Sequence, residues 1–525
     1  MRPSDYGLPY EAWRSGQEKA IKDIQRWLLA SKQVIYEAPP GIGKSAVGIV
    51  ATGIRGEEPF SRPRYLILVS TKDLETQYQR DYPEVKVMHG RNNYPCALAP
   101  GLFPDLTAEQ CVATNGLQCL VANHCEYWNA KSAAASARTV VANYAYFLAE
   151  ANYKRKDDSQ PSPFAFRFTI CDEMDTLGEG HILNYMEIAI TESQLARCRI
   201  AKPKKVSIYE SWVEWAPLAL AQVRSAIGVL QDQVQVARNL NGIDFNAMRE
   251  LVHLQRLSRK LAAFSQVTDA DWAFYPGERR WSFKPVWINK YAPGLFFDHL
   301  GGFLGMSATI GDFRQFCRNL GIEAAKTAFI QGASIIPAEN RPIYYRPVAN
   351  LSHKTLDTEL PKLVDAVTDI LKSHPDEKGL CHAVNYHIAR YIMANVPTPY
   401  RSRLIGHGSS ADRRDTLDRF RSSNNPLVLV SPSFSRGLDL PYDDCRFIII
   451  AKAPYMDLGD PRIKKRLYAS RDGQSWYKHQ AANTVVQMSG RGTRAPDDMC
   501  ETYLLDAQLG NLIVLTPNWW RGALR

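Results

Sequence analysis

Residues 33–45 read QVIYEAPPGIGKS: strand-forming residues up to Glu37 and a turn-rich segment, with a helix expected from Gly43 into the helix-compatible stretch AVGIVATGI. Gly41 and Gly43 let the backbone curl so that its N–H groups face phosphate oxygens, and the N-terminus of the following helix adds positive potential at the same place. Lys44 can then reach the outer phosphates and Ser45 can ligate Mg2+. Ala38 stands where such a Walker A loop usually begins with glycine. A chance glycine turn before lysine and serine needs neither a strand in front nor a helix behind, and this stretch has both. The chemistry expected here is binding of a nucleoside triphosphate, ATP, with its Mg2+.

Outward from the loop, short apolar runs alternate with helical stretches: QVIYEA, YLILVS, TVVANY and FTICDE, then GLCHAV, RLIGH, PLVLVSP, RFIIIAK and TYLLDA in the last third. That rhythm predicts parallel sheets wrapped by helices, hence an α/β chain with two such domains. Between them, from about Gly180 to Pro285, strand-like runs thin out, and DFNAMRELVHLQRLSRKLAAF (244–264) spaces its apolar residues at three-to-four intervals, so this unit reads as helical. The stretch from Arg91 to Trp128 holds Gly, Pro, Asn and four cysteines with little periodicity, and reads as a small inserted lobe. The expected boundaries are 1–90, 129–180 and 286–335 for the first α/β domain, 91–128 for the lobe, 181–285 for the helical unit and 336–525 for the second α/β domain. A length of 525 residues accords with about three to four structural units.

Hydrophobic residues at 45% and charged residues at 22% are ordinary globular usage, which excludes wholesale disorder and a fibrous protein. Lysine and arginine exceed aspartate and glutamate by 64 to 54, for a net charge of +10, which favours a polyanionic partner without identifying one. The start, MRPSDYGLPYEAWRSGQ, has no charged-then-apolar leader, and no run of about 18 apolar residues occurs, so a cytoplasmic chain without a membrane span is expected.

A phosphate loop needs an acid on the metal side at the end of a neighbouring strand, and FTICDEMD (168–175) supplies Asp172 and Glu173. Asp172 would hold Mg2+ through its water shell and Glu173 would orient or deprotonate the attacking water. These two elements also occur in transporters and partition ATPases. The downstream boxes narrow the choice: GMSATI places Ser307, Ala308 and Thr309 after another strand, and QMSGRGTR places Gln487, Arg491 and Arg494 near the end. Arginines delivered from a second α/β domain stabilise transition-state charge only when the domains close, which ties hydrolysis to movement.

The boxes APPGIGKS, STKDLETQY, CDEMD, GMSAT, SRGLDLP and QMSGRGTR resemble those of superfamily-two helicases. More narrowly, GRNNYPC with the cysteines after it, CEYWNAKSAAASARTVVANYAYFL and KAPYMDLGDPRIKKRL resemble the XPD/DinG type of iron–sulfur DNA helicase. The resemblance implies two RecA-like domains, an iron–sulfur lobe and a helical arch. It also implies translocation on single-stranded DNA, five-prime to three-prime, with unwinding of duplexes or DNA–RNA hybrids. Two other readings stay open, a translocase without processive unwinding and an ATP-switched clamp in a larger complex. By resemblance Gln17 reads adenine with Arg14 nearby, Thr71 and Gln77 touch the DNA backbone, and Gly437 with Asp439 links DNA to ATP. The implied partners are single-stranded and forked DNA, R-loops included, bound by a monomer. Departures are Met174 and Asp175 where the type has an alanine and a histidine, and Tyr442 where glycine is usual.

Cys96, Cys111, Cys119 and Cys125 are separated by 14, 7 and 5 residues. Thiolates favour iron–sulfur clusters or zinc, and structural zinc usually shows a closely spaced ligand pair that is missing here. The resemblance turns the expectation to a 4Fe-4S cluster, with His124 as an outside zinc ligand. Cys171, Cys198, Cys317, Cys381, Cys445 and Cys500 are scattered and expected in cores. Tyr94, Tyr127, Trp128, Tyr455 and Trp476 adjoin the boxes and are ring faces on which bases could stack.

Overall fold

The computed structural model describes residues 2–31, 33–55, 64–97, 107–110, 124–152, 162–165, 167–240, 244–269, 271–409, 412–432, 438 and 440–525. Seven parallel strands form the first sheet, in the order Ala328–Gln331, Gln33–Glu37, Phe303–Ser307, Phe168–Asp172, Tyr65–Val69, Thr139–Asn143 and Lys86–Met88. Every residue of Tyr65–Val69 is buried, as a central strand covered on both faces requires. Its side chains alternate between two cores. Tyr65, Ile67 and Val69 pack with Ile21, Val47 and Ile170, and Leu66 and Leu68 with Val140, Phe147 and Met174.

Six parallel strands form the second sheet, in the order Ile343–Ala349, Glu501–Asp506, Phe447–Ile450, Gly379–His382, Val428–Ser431 and Leu404–Gly406. It too is buried on both faces, by clusters around Leu429 and Ile448 on one side and Val430 and Ile449 on the other. The fold is therefore α/β with two parallel-sheet bodies.

The middle of the chain differs in one respect from its helical reading. Helices Tyr209–Asn239 and Phe245–Ala263 pack together, but they stand on a three-stranded antiparallel sheet of Ile188–Thr191, Arg280–Pro285 and Trp272–Tyr275. The hairpin turns at Gly277, where a Cβ would lie 2.3 Å from the Arg280 carbonyl oxygen. Trp212 and Phe264 from the helices meet Trp281 and Phe283 from the sheet in one core, so short strands carry the aromatic half of a helical unit. Among the described residues no helix is long and apolar enough to cross a membrane.

Candidate nucleotide site and interdomain face

Register brings the boxes together. Glu37 pairs with Ser307 and Asp172 with Met306, so three adjacent strands end level, and the loops that follow them share one edge of the sheet. The carboxyl edge of a parallel sheet is where such folds bind ligands. The loop after Glu37 turns through Gly41 at φ 81° and Gly43 at φ 76°, both left-handed. Only glycine fits: a Cβ would lie 2.7 Å from the Arg494 carbonyl oxygen at position 41 and 2.7 Å from Gln17 Nε2 at position 43.

Lys44 opens helix Lys44–Ala51, and its Nζ donates to the Ala38 carbonyl oxygen at 3.1 Å. Ala38 itself is fully buried. Burial pushes the Lys44 ammonium below its ordinary range, opposed by the Asp172 carboxylate; burial likewise pushes Asp172 up, opposed by Lys44. Asp172 accepts from the Tyr78 hydroxyl at 2.9 Å, and Ser45 bonds the same hydroxyl. The Tyr144 hydroxyl donates to the Asp172 carbonyl oxygen at 2.8 Å. Ser45 and Asp172, the two expected Mg2+ ligands, thus stand on either side of one phenol, an oxygen donor set that suits that ion.

Glu173 sits at φ 50°, a left-handed backbone that costs a non-glycine residue about 1–3 kcal/mol and clusters at functional sites. Its carboxylate is exposed and accepts from the Ser70 hydroxyl. Gln17 is buried: its amide donates to the Ile42 carbonyl oxygen at 2.7 Å while its oxygen accepts from the Arg14 backbone N–H at 2.8 Å. The Arg14 guanidinium donates to the Gly41 carbonyl oxygen. Gln17, expected to read the base, and Arg14 beside it therefore both brace the loop that holds Gly41 and Ile42. Thr71 caps helix Lys72–Asp81, and it and Gln77 are exposed.

The second α/β body reaches this edge through the helix Arg471–Ser489 and the turn after it. Gln487 Nε2 donates to Asp175 Oδ2 at 2.8 Å and to Thr309 Oγ1 at 2.7 Å, and Ser307 Oγ donates to Asp175 Oδ1 at 2.6 Å. Asp175, in the place of the usual histidine, accepts from both bodies. The two arginines divide. The Arg494 backbone packs on Gly41 and its charge acts on Lys44, while its guanidinium donates to the Gly490 and Thr493 carbonyl oxygens at 2.7 and 2.9 Å. Arg491 instead donates to the Leu438 carbonyl oxygen at 3.0 Å and lies beside buried His382. Gly437 and Asp439 lie outside the described residues.

Three participants escaped the sequence reading. Tyr78 is one. Glu37 is another: buried, it accepts from the backbone N–H groups of Ile310 and Gly311 at 2.7 and 2.8 Å and from Gln331 at 2.8 Å, fixing the loop after Thr309. Burial pushes its carboxyl up, against those three donors. Asp498, also buried, accepts from the backbone N–H groups of Arg494 and Tyr442 at 3.0 and 3.2 Å, which holds the arginine turn. Tyr78 closes the box STKDLETQY, and nothing but adjacency to a box marked Glu37 and Asp498 in the sequence.

In the segment expected to form the inserted lobe, Cys96 follows Pro95, which bridges Thr107, and Cys125 caps helix Glu126–Ser136; Cys111 and Cys119 lie outside the described residues. Among the described residues no group of three or more His, Cys, Asp or Glu side chains forms a metal site. Glu109 of the same segment meets Arg256 of the middle unit at 3.1 Å. Beside that contact the middle unit holds a cavity of about 710 Å3 whose lining includes Arg197, Arg256, Arg259 and Lys260 with Tyr185 and Trp272.

Residues 367–523 match the family model of the helicase C-terminal domain. The ATP-dependent DNA helicase DinG of Photobacterium profundum is 26% identical over 249 residues, 43% of this chain and 34% of that protein. The ATP-dependent DNA helicase YoaA of Escherichia coli is 24% identical over 232 residues, 41% of this chain and 34% of that protein. The match therefore spans about a third of the length of these curated relatives. In fold, a solved XPD helicase superposes with a TM-score of 0.61 at 15% identity, over 97% of each chain. S. tokodaii Xpd4 does so with a TM-score of 0.57 at 14% identity, over 97% of this chain and 99% of that one. Sequence relatives, carboxy-terminal domain and fold converge on one type: the chain is similar to the DinG/XPD helicases of superfamily two.

Proposed function

We propose that the chain is an ATP-driven motor that moves along single-stranded DNA and separates duplexes. The contact of Gln487 with Asp175 and Thr309 carries the reading, because a side chain of the second body then senses the acid segment that faces the nucleotide. Lys44 would hold the phosphates, Ser45 and Asp172 would hold Mg2+, which when bound would supply positive charge against the phosphates, and Glu173 would orient the attacking water. Arg494, whose charge acts on Lys44, stabilises charge in the transition state, while Arg491 holds the Leu438 carbonyl oxygen.

The four cations along the cavity suit a phosphodiester backbone, and the exposed ring of Tyr185 beside them suits a base, so the single strand is assigned to this passage. Cys96, Cys111, Cys119 and Cys125 are assigned to a 4Fe-4S cluster. The resemblance and the chemistry of four thiolates carry this assignment; Cys96 and Cys125 are both partly exposed. Movement from five-prime to three-prime, action on forks, hybrids and R-loops, a monomeric state and a cytoplasmic location follow the same resemblance. Strand displacement on a labelled fork, run beside ATP hydrolysis with and without single strands, tests the whole. Strand-stimulated hydrolysis with displacement is expected. Stimulated hydrolysis without displacement would indicate a translocase, and nucleotide-dependent binding without turnover a clamp.

A further inference from the structure

Beyond Glu173 the backbone stays helical through Met174–Thr176, Leu177–Ile182 and Leu183–Met186, and so runs without a break from the acid pair to the first strand of the middle unit at Ile188. Leu177–Ile182 is a π-turn, a wide and rare geometry that recurs at functional positions. It carries Glu179. The Glu179 carboxylate receives Arg462 through two bonds, at 2.7 and 3.1 Å, and Arg466 through a third at 2.7 Å. Both arginines come from one helix of the second body, Pro461–Ala469, and both are buried, 2% and 1% exposed.

Each guanidinium is tied further. Arg466 donates to Asn319 Oδ1 at 2.7 Å and lies over the Trp476 ring at 3.8 Å and the Trp287 ring at 4.9 Å. Arg462 Nε donates to the Pro285 carbonyl oxygen at 2.9 Å. The same helix grips the middle unit directly: Lys465 meets Asp269 at 2.8 Å and the Trp272 carbonyl oxygen at 3.1 Å, and the Tyr275 hydroxyl donates to its capping Asp460 at 2.6 Å. Next to Glu179, Gly178 packs so closely that a Cβ would lie 2.9 Å from Ile288 Cδ1. Burial alone would push the Glu179 carboxyl up, yet the two guanidiniums hold it at about 2.

Among the described residues, two of the contacts between the α/β bodies are unlike in kind. At the nucleotide edge the contact is a partly buried amide on a carboxylate and a hydroxyl, which small rotations can make or break. At Glu179 it is two buried cations on one half-buried carboxylate, and separating these would leave both guanidiniums stranded out of water. Movement takes the cheaper path. We propose that Glu179 with Arg462 and Arg466 is the fixed pivot of the interdomain movement, and that Glu179 is the positioning residue through which that movement reaches the middle unit. This rests on the reading of the chain as an ATP-driven motor.

Spin-label distances test it on the full chain, with one pair at exposed Tyr10 and Tyr442 on the nucleotide side and another at exposed Leu218 and Tyr468 on the pivot side. Adding a non-hydrolysable ATP analogue and a single-stranded oligonucleotide should shift the first distance and leave the second unchanged. In Glu179→Gln the second distribution should broaden. Base pairs separated per ATP hydrolysed should fall by about tenfold, while hydrolysis without DNA stays within about threefold. Tyr275→Phe, which strands no charge, should loosen the same pivot and lower that ratio by about twofold, and guards against a Glu179→Gln protein that fails to fold. Equal shifts at both pairs, or an unchanged ratio in both variants, would overturn the pivot and leave the motor standing. No shift at either pair, with hydrolysis indifferent to single strands, would remove the motor and the pivot with it.

Discussion

The Gln487 side-chain amide donates to the Asp175 carboxylate at 2.8 Å, joining the arginine-box helix of one α/β body to the acid segment of the other. Aspartate in place of histidine makes this an anion accepting from a neutral donor, and such bonds are about twice as strong as neutral pairs. Gln487→Ala should therefore lower strand-stimulated ATP turnover by about tenfold and change ATP affinity by less than about threefold. A double-mutant cycle with Asp175→Asn measures the coupling; strict additivity of the two effects would contradict it.

Lys44→Ala should abolish ATP turnover, since the phosphates lose their cation. Glu173→Gln should still bind ATP and hydrolyse it about a hundred- to ten-thousandfold more slowly, the usual loss for a general base. Filter binding of radiolabelled ATP beside a phosphate-release assay separates the two. Turnover at the wild-type rate in either variant contradicts the site.

Arg494 lies against the phosphate loop, whereas Arg491 is engaged with the Leu438 carbonyl oxygen. Arg494→Ala should reduce kcat by at least about a hundredfold with ATP affinity nearly unchanged, because its contact strengthens in the transition state. Arg491→Ala should instead lower thermal stability as well as rate. Steady-state kinetics with a melting curve for each variant decides whether the division of labour holds.

Anaerobically purified protein should be brown and carry about four irons with matching sulfide. Cys119→Ser should lose the colour and the iron, and fail to separate a fork, while retaining ATP binding, because the phosphate loop belongs to a separate sheet core. Iron and sulfide analysis with a displacement assay is the measurement. Full unwinding by a colourless, iron-free variant would leave only the two-body motor.

His382 is buried at the end of strand Gly379–His382, and burial, with Arg491 beside it, pulls its imidazole down to about 3. The unfolded chain then binds a proton that the folded chain refuses. The contribution of His382 is thus fully present above its ordinary value of about 6.5 and is lost as pH falls from there toward 3. Stability should fall by up to about 1.4 kcal/mol per pH unit in that window from this group alone. Urea unfolding between pH 7 and 5 should show the slope, and His382→Asn should flatten it.

How much of this was legible before the fold was known follows from distance along the chain. The phosphate loop, the acid pair and the arginine box are contiguous patterns, because each chemistry needs neighbouring groups on one turn or one strand end. The central strands were legible as well, since a strand buried on both faces must be apolar throughout, as Tyr65–Val69 is. The edge strands Lys86–Met88 and Ala328–Gln331 were not, because with one neighbour instead of two they tolerate exposed and polar residues. Nor were the three strands beneath the middle helices, whose register is set by packing Trp281 and Phe283 against Trp212 and Phe264. Tertiary structure alone decided that Tyr78 stands between Ser45 and Asp172, and that Arg494 and Arg491 take different partners. It alone set Arg462 against Glu179, 283 residues away. A contact at that separation leaves no periodicity to read; it exists because a buried guanidinium is tolerable only where the fold brings a carboxylate to meet it.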